Sequence, residues 1–418
     1  EFDEEEILSA YLSALARAYD PHSDYMSPSE AKQFEIASIK LSLSGIGALL
    51  QWEDGYTRIR SLVPGGPAEQ SKLLKPKDRI VAVAQGAEEP VDVVEMRLNK
   101  VVELIRGKKG SEVRLTIVPA DSEDGSRRVI RLVRDDIKLS EQLSKARIID
   151  LPVGDRTVAL GVIVLPQFYE NCARDVEKLI VRLKEEKVEG LVLDLRRNGG
   201  GILEEAIELT GLFIREGPVV QVKNHTGITR VLEDEDSRVV WEGPLVVAVG
   251  HASASASEIV AAALQDYGRA LVVGDAATHG KGTVQTLVPL SQFFNRAILT
   301  SNAGKVKFTV SKFYRIAGGT TQKYGVIPDI ALPSPLDPME LGEAYLPNCL
   351  PADRTTPADY RRQDVVQPYL ATLRDRSANR VAASRDFAFI LEDIEEIKQR
   401  KADPSLSLNE ARRLTEQT

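Results

Sequence analysis

Cysteine is nearly absent: Cys172 and Cys349 are the only two in 418 residues. Two cysteines exclude a disulfide framework and a cysteine-built metal cluster, and neither a metal nor another cofactor is expected. Long apolar runs are missing too. No stretch approaches the ~20 residues of a membrane-crossing helix, so no span is expected in this chain. Excess positive charge is lacking, with 54 Lys and Arg against 62 Asp and Glu and a formal charge of −8. That argues against a nucleic-acid partner, because phosphate contacts lean on clustered basic side chains. The N-terminus is acidic rather than basic and then apolar, so no signal peptide is read there. The Gly-x-Ser-x-Gly elbow of α/β hydrolases does not occur. A phosphate-binding loop fails as well: it needs glycine six places before its lysine and a hydroxyl residue after it. Around Lys281 those places hold Asp275 and Gly282.

What is present is ordinary globular composition, 43% apolar and 28% charged, in a chain long enough for two to four domains. Residues 3–19 carry Ile7, Leu8, Tyr11, Leu12 and Leu15 at helical spacing. The turn Asp20-Pro21-His22-Ser23 follows, then a short helix over 28–36 with Ser29 as candidate N-cap. From Ser38 to Arg134 short strands dominate, opening at Leu41, with one helix expected over 91–105. Residues 145–335 alternate strand and helix, which implies an open, largely parallel sheet with helical cover. Beyond Pro335 prolines cluster, and a charged, helix-forming tail is expected to pack on the core through Val366, Tyr369, Phe389, Leu391 and Ile394.

The stretch 38–135 resembles a PDZ domain of the circularly permuted bacterial kind. The likeness rests on Gly45-Ile46-Gly47-Ala48 and on SLVPGGPAEQSKLLKPKDRIVAV. It implies that the 45–48 loop offers N–H groups to a peptide's terminal carboxylate while the peptide adds a strand to the sheet edge.

Residues 244–285 bear the chemistry. An apolar strand leads into Ser253-Ala-Ser255-Ala-Ser257, a helix closes at Gly268, and a second apolar strand runs toward Gly280-Lys281-Gly282. Strand-to-helix turns expose hydroxyls at the carboxyl edge of a parallel sheet beside free N–H groups. A serine there is ordinarily an N-cap and a glycine-flanked lysine a turn residue. A conventional triad needs histidine, and the chain has only His22, His225, His251 and His279. His251 is too near Ser255 in sequence to serve easily as an independent base; His279, in a loop, stays open. Lys281 fits better as base. It must lose its proton near neutrality, a drop of ~2 to 4 units at roughly 1.4 kcal/mol each, which apolar walls can enforce and a nearby carboxylate would oppose.

DPHSDY, LDLRRNGGG, SASASEI, QDYGRALVVG, GKGTVQ and GGTTQKYGVIPD follow one another from about residue 20 to 335. Together they resemble the tail-specific, or carboxyl-terminal-processing, serine peptidases of the Prc type. The tail, including Ser407 to Arg412, resembles the start of that subgroup's C-terminal region, and both ends are expected to be short relative to it. The resemblance implies a multidomain α/β protein with a crotonase/ClpP-like βαβ peptidase core. Its parts would be an N-terminal helical segment (1–37), the PDZ domain (38–135), the core (136–335) and a C-terminal helical region (336–418). It further implies a Ser255/Lys281 dyad, Gln285 orienting the neutral amine, and Asp266 as an auxiliary residue of structural character. The Ala256 and Gly200 N–H groups would form the oxyanion hole. The Ser-to-Lys separation is one residue longer than the family pattern, the extra residue falling in 275–279; Ser257 stays the alternative nucleophile. Substrates would be proteins or peptides with free, apolar or unstructured C-termini, with export to the periplasm or beyond and an adaptor protein in some members. The rivals are a catalytically inactive PDZ scaffold that only binds C-termini and a crotonase-like acyl-CoA enzyme.

Overall fold

The computed structural model describes residues 4–36, 42–122, 124–138, 142–294, 302–403, 405 and 408–416. Ser38, Leu41 and Ser407, where sequence readings fall, lie outside them. The chain forms two compact units, Glu1–Phe34 with Leu143–Thr418, and Glu35–Gln142. The N-terminal segment and the tail thus belong to the same unit as the core.

The chain begins with α1 (Glu4–Arg17), β1 (Asp24–Met26) and α2 (Pro28–Glu35). Between the first two, the Asp20 carboxylate accepts from the His22 N–H (2.9 Å) and the Ser23 hydroxyl, which fixes the turn. Ser27 rather than Ser29 forms the capping box of α2. Its Oγ accepts from the Glu30 N–H, and Glu30 Oε2 accepts from the Ser27 N–H at 2.8 Å.

The second unit holds β2 (Ser42–Gly45), β3 (Ala48–Glu53), β4 (Tyr56–Leu62), α3 (Pro67–Ser71), β5 (Arg79–Gln85) and β6 (Val91–Asp92). It continues with α4 (Leu98–Ile105), β7 (Glu112–Val118), β8 (Arg128–Val133) and β9 (Asp135–Lys138). An antiparallel sheet runs β3-β4-β5-β7-β8, with β6 beside β5, and β2 pairs with β9. Its core packs Ile59, Ile80, Val101, Leu115 and Ile117. The helix expected over 91–105 is only its second half. Val91 and Asp92 instead pair with β5, and Glu95 at φ 59° is left-handed, which no helix can pass through.

The core begins with β10 (Lys145–Val153), β11 (Arg156–Val164), α5 (Cys172–Glu185), β12 (Gly190–Asp194), α6 (Leu203–Gly211), β13 (Gly217–Asn224) and β14 (Thr229–Asp234). Then come β15 (Leu245–Val249), α7 (Ala256–Asp266), β16 (Leu271–Gly274), β17 (Thr283–Pro289), β18 (Lys305–Tyr314) and β19 (Ile330–Ala331). One sheet runs β10-β11-β12-β15-β16-β19, parallel except for β10, which hairpins onto β11. The apolar runs LVLD, LVVAV and LVVG are its inner strands, as expected of strands covered on both faces. A second, antiparallel sheet runs β1-β18-β13-β14 with β17 also on β18, so the core has two sheets where the sequence pattern implied one. The loops leaving β12, β15 and β16 share one carboxyl edge, where ligand sites of such sheets form.

After β19, residues 332–366 hold no regular element but the 3₁₀ turn Glu343–Tyr345, before α8 (Leu370–Ala383), α9 (Arg385–Ala402) and α10 (Glu410–Glu416). Ile394 is buried, whereas Tyr369, Phe389 and Leu391 stay exposed.

Candidate active site

Ser255 stands between β15 and α7 with φ 56° and ψ −114°. A non-glycine residue there stores roughly 1–3 kcal/mol of strain, so its surroundings must over-determine it. Glu258 Oε2 accepts from the Ser255 N–H at 2.7 Å, Asn198 O from the Ala254 N–H at 3.1 Å, and Ser255 O from the Ile259 N–H at 3.0 Å. Gly200 abuts the turn: a Cβ there would lie 2.8 Å from Ser255 Cβ and from Ala254 O. Only glycine fits. Small residues at 200, 254 and 256 thus permit a strained strand-to-helix serine turn without the Gly-x-Ser-x-Gly motif.

The three serines differ. Ser253 is buried and donates to Leu195 O (2.7 Å), and Ser257 is buried and donates to Asn198 O (2.8 Å). Ser255 is half-buried, and among the described residues its hydroxyl proton has no acceptor. Ala256 opens α7, so its N–H is one of the unpaired donors at a helix start. The Gly200 N–H, by contrast, donates to Asn198 Oδ1 at 2.9 Å, and Asn198 Nδ2 is itself fixed by Leu165 O.

Lys281 is half-buried, and its Nζ has no hydrogen-bond partner among the described residues. Burial first, and the nearby Lys307 second, lower its pKa to about 8, against Glu343, Glu258 and Asp20, which favour the charged form. Its flanking glycines are required by close backbone. Gly280 has φ 93°, and a Cβ on Gly282 would stand 2.8 Å from Gln322. Loop 275–279, where the extra residue was expected, is pinned along its length. Asp275 Oδ2 accepts from the His251 N–H (2.9 Å), Asp337 Oδ1 from the Ala276 N–H (3.2 Å), and Ser253 O from the His279 N–H (2.9 Å).

Sequence reasoning missed the group that joins the two sides. Glu258 is fully buried, and its carboxylate accepts from the N–H groups of Ser255 (2.7 Å), Gly280 (2.7 Å) and Lys281 (3.0 Å) and from the Thr278 hydroxyl (2.6 Å). Burial pushes its pKa up to about 7, opposed by those donors. The signal was available, since Ser255-x-x-Glu258 before an apolar helix is a capping-box pattern.

The auxiliary residues fall elsewhere. Gln285 Nε2 donates to Thr283 Oγ1 (2.9 Å) and Thr309 Oγ1 (3.1 Å), and Thr309 in turn donates to Asp20 Oδ1 (2.9 Å); Gln285 makes no hydrogen bond to Lys281. Asp266 is spent on Arg315, 2.5 Å from its Nη2. His251 pairs with Asp337 at 2.9 Å, and His279 lies 3.7 Å from Glu343. Among the described residues neither histidine bonds Ser255. No group of three or more His, Cys, Asp or Glu among them could hold a metal ion.

Three family descriptions match in order: PDZ domain over 37–118, Peptidase family S41 over 159–332, and C-terminal domain of tail specific protease over 336–418. A carboxyl-terminal-processing protease of Picosynechococcus is 31% identical over 331 residues, 79% of this chain and 73% of the relative. The chain belongs to the carboxyl-terminal-processing protease family. The tail-specific protease of Haemophilus influenzae is 43% identical over 97% of this chain, which spans 57% of that relative's length. A solved PDZ domain of a Vibrio cholerae carboxy-terminal protease, in complex with peptide, is 54% identical over 23% of this chain and 99% of that one, with TM-score 0.23.

In this family member the 45–48 loop leads directly into β3, the edge of its sheet. Ile46 O and Gly47 O accept from the N–H groups of Ala68 (2.7 Å) and Val63 (2.8 Å). Among the described residues the Ile46 and Gly47 N–H groups donate to no acceptor. Gly47 has φ 72°, and a Cβ there would stand 3.1 Å from Gly66 Cα, so the loop and the Pro64–Pro67 turn require each other's glycines.

Proposed function

We propose that the chain is a serine endopeptidase that captures free protein C-termini and cuts through a Ser255/Lys281 dyad. One contrast carries the reading: Ser255 keeps an uncommitted hydroxyl proton in a strained turn, while half-buried Lys281 has its pKa lowered by desolvation to about 8. Family membership supports the same chemistry. At pH 7 about a tenth of such a lysine is neutral. That amine takes the Ser255 proton as Oγ attacks the scissile carbonyl. The amine then protonates the departing nitrogen, and water resolves the acyl-enzyme by the same base. The Ala256 N–H would receive the oxyanion, joined by Gly200 once its bond to Asn198 opens.

Capture would use the Ile46 and Gly47 N–H groups for the terminal carboxylate and the free edge of β3 for the peptide backbone. The test is cleavage of an unstructured protein with a free or an amidated C-terminus, with Ser255→Ala as blank. Equal cleavage of both forms removes carboxylate capture, and wild-type turnover by Ser255→Ala removes the dyad. Family membership also supports action in the periplasm and use of an adaptor protein, which cell fractionation and pull-down on Ser255→Ala test.

A further inference from the structure

One carboxylate from the segment after the core closes on the lysine loop. Glu343 is fully buried in its 3₁₀ turn. Its Oε2 lies 2.7 Å from His22 Nε2 and 3.7 Å from His279 Nε2, and its Oε1 accepts from Gln322 Nε2 at 2.9 Å. Its N–H donates to His279 O at 2.8 Å. Gln322 Oε1 accepts from the Gly282 N–H at 2.7 Å. Glu343 therefore holds the residue two before Lys281 directly and the residue one after it through Gln322. Gly342 makes the approach possible, since a Cβ there would stand 2.6 Å from His279 O, and its φ is 108°.

The segment is anchored on both sides of this contact. Asp337 pairs with His251, Gln322 Nε2 also donates to Leu350 O (3.0 Å), and Asn348 Nδ2 donates to Arg17 O (3.1 Å). A clamp alone could be apolar; burying a carboxylate is unfavourable unless it is fully bonded. Here burial would raise its pKa, but the bonds to His22 and Gln322, with His279 nearby, outweigh that and hold it at about 2. The group is a permanent negative charge. It faces Lys281 together with Glu258 and Asp20, and Lys307 opposes all three.

We infer that Glu343 is a positioning residue for Lys281, which fixes loop 279–282 against the His22 turn and whose charge sets how readily the amine gives up its proton. The inference rests on Lys281 being the base. The experiment measures kcat and KM of the full chain on an unstructured protein from about pH 6 to 10, with thermal melting to establish folding. Glu343→Gln should lower kcat at least about tenfold with KM within about twofold, and should move the acidic limb, where Lys281 becomes protonated, to lower pH because a charge favouring the ammonium is gone. Glu343→Asp keeps the charge and withdraws the contacts, so kcat should fall while the limb stays in place. Folded Glu343→Gln with wild-type kcat and an unmoved limb overturns the inference. Where Glu343→Gln does not fold, His22→Gln replaces it: loss of kcat at constant KM supports the inference, and unchanged kcat overturns it. No Ser255-dependent turnover by the wild-type chain removes the peptidase reading itself, and this inference with it.

Discussion

Each unit draws a cation out of solvent, one fully and one in part, and the two are treated oppositely. Arg134, in the Glu35–Gln142 unit, is 2% exposed. Its guanidinium donates to Ile105 O (2.8 Å), Ser111 Oγ (2.9 Å), Glu112 O (3.1 Å), Gln85 Oε1 (2.6 Å) and Leu104 O (3.2 Å). Burial lowers its pKa, yet arginine stays charged, and its bonded nitrogens knit a helix end to two strands. Lys281 is half-buried and desolvated beside a second cation, with no bond to its Nζ among the described residues. Burial with partners makes structure; burial without them makes a reactive amine. Two carboxylates of α7 repeat the lesson. Asp266 is paired with Arg315, whereas Glu258 spends itself on the backbone of Ser255 and Lys281.

The contrast can be broken most sharply at the proposed dyad. Ser255→Ala and Lys281→Ala should each lower turnover at least about 10³-fold, while peptide binding by the other unit, read by calorimetry, stays unchanged. Next is the pH profile. Because a protonated amine cannot accept the serine proton, kcat/KM should fall about tenfold per unit below pH of about 8; a flat profile to pH 6 would exclude Lys281 as base. Glu258→Gln leaves the shape and removes the charge that three N–H groups and a hydroxyl point at. Its kcat should fall about 10²-fold, since small misplacements of reacting groups have that effect, and wild-type kcat would show that the carboxylate only caps α7. Arg134→Met strands several buried acceptors and should destabilise its unit by about 3 kcal/mol in denaturant melts, with the rate of Ser255 labelling by a fluorophosphonate unmoved. Smallest is Asp266→Asn, about 2 kcal/mol of stability and no shift of the pH profile; a shift would restore Asp266 to the site.

Much of the architecture was legible because it is written over short distances. Apolar runs of four or five residues between turn residues marked β12, β15 and β16, and glycines marked the loops leaving them. The second sheet was not legible, since β1, β13 and β18 come from segments far apart in the chain. The helix read over 91–105 failed at Val91 and Asp92, where pairing with β5 overrode local helical spacing.

By itself, the sequence determined the strand–turn–helix that carries Ser253, Ser255 and Ser257, the glycine-flanked lysine after the next strand, and the family to which both belong. Each depends on backbone preferences within a few residues. The tertiary structure decided the rest. It left Ser255 with a hydroxyl proton to give by binding the other two serines to carbonyls 58 and 59 positions away. It committed the Gly200 N–H to Asn198 and turned Gln285 toward Thr309. It put Glu343 on His22, 321 residues apart, behind the lysine loop. Proton affinity depends on what is buried against a group, and burial joins residues that no local pattern relates.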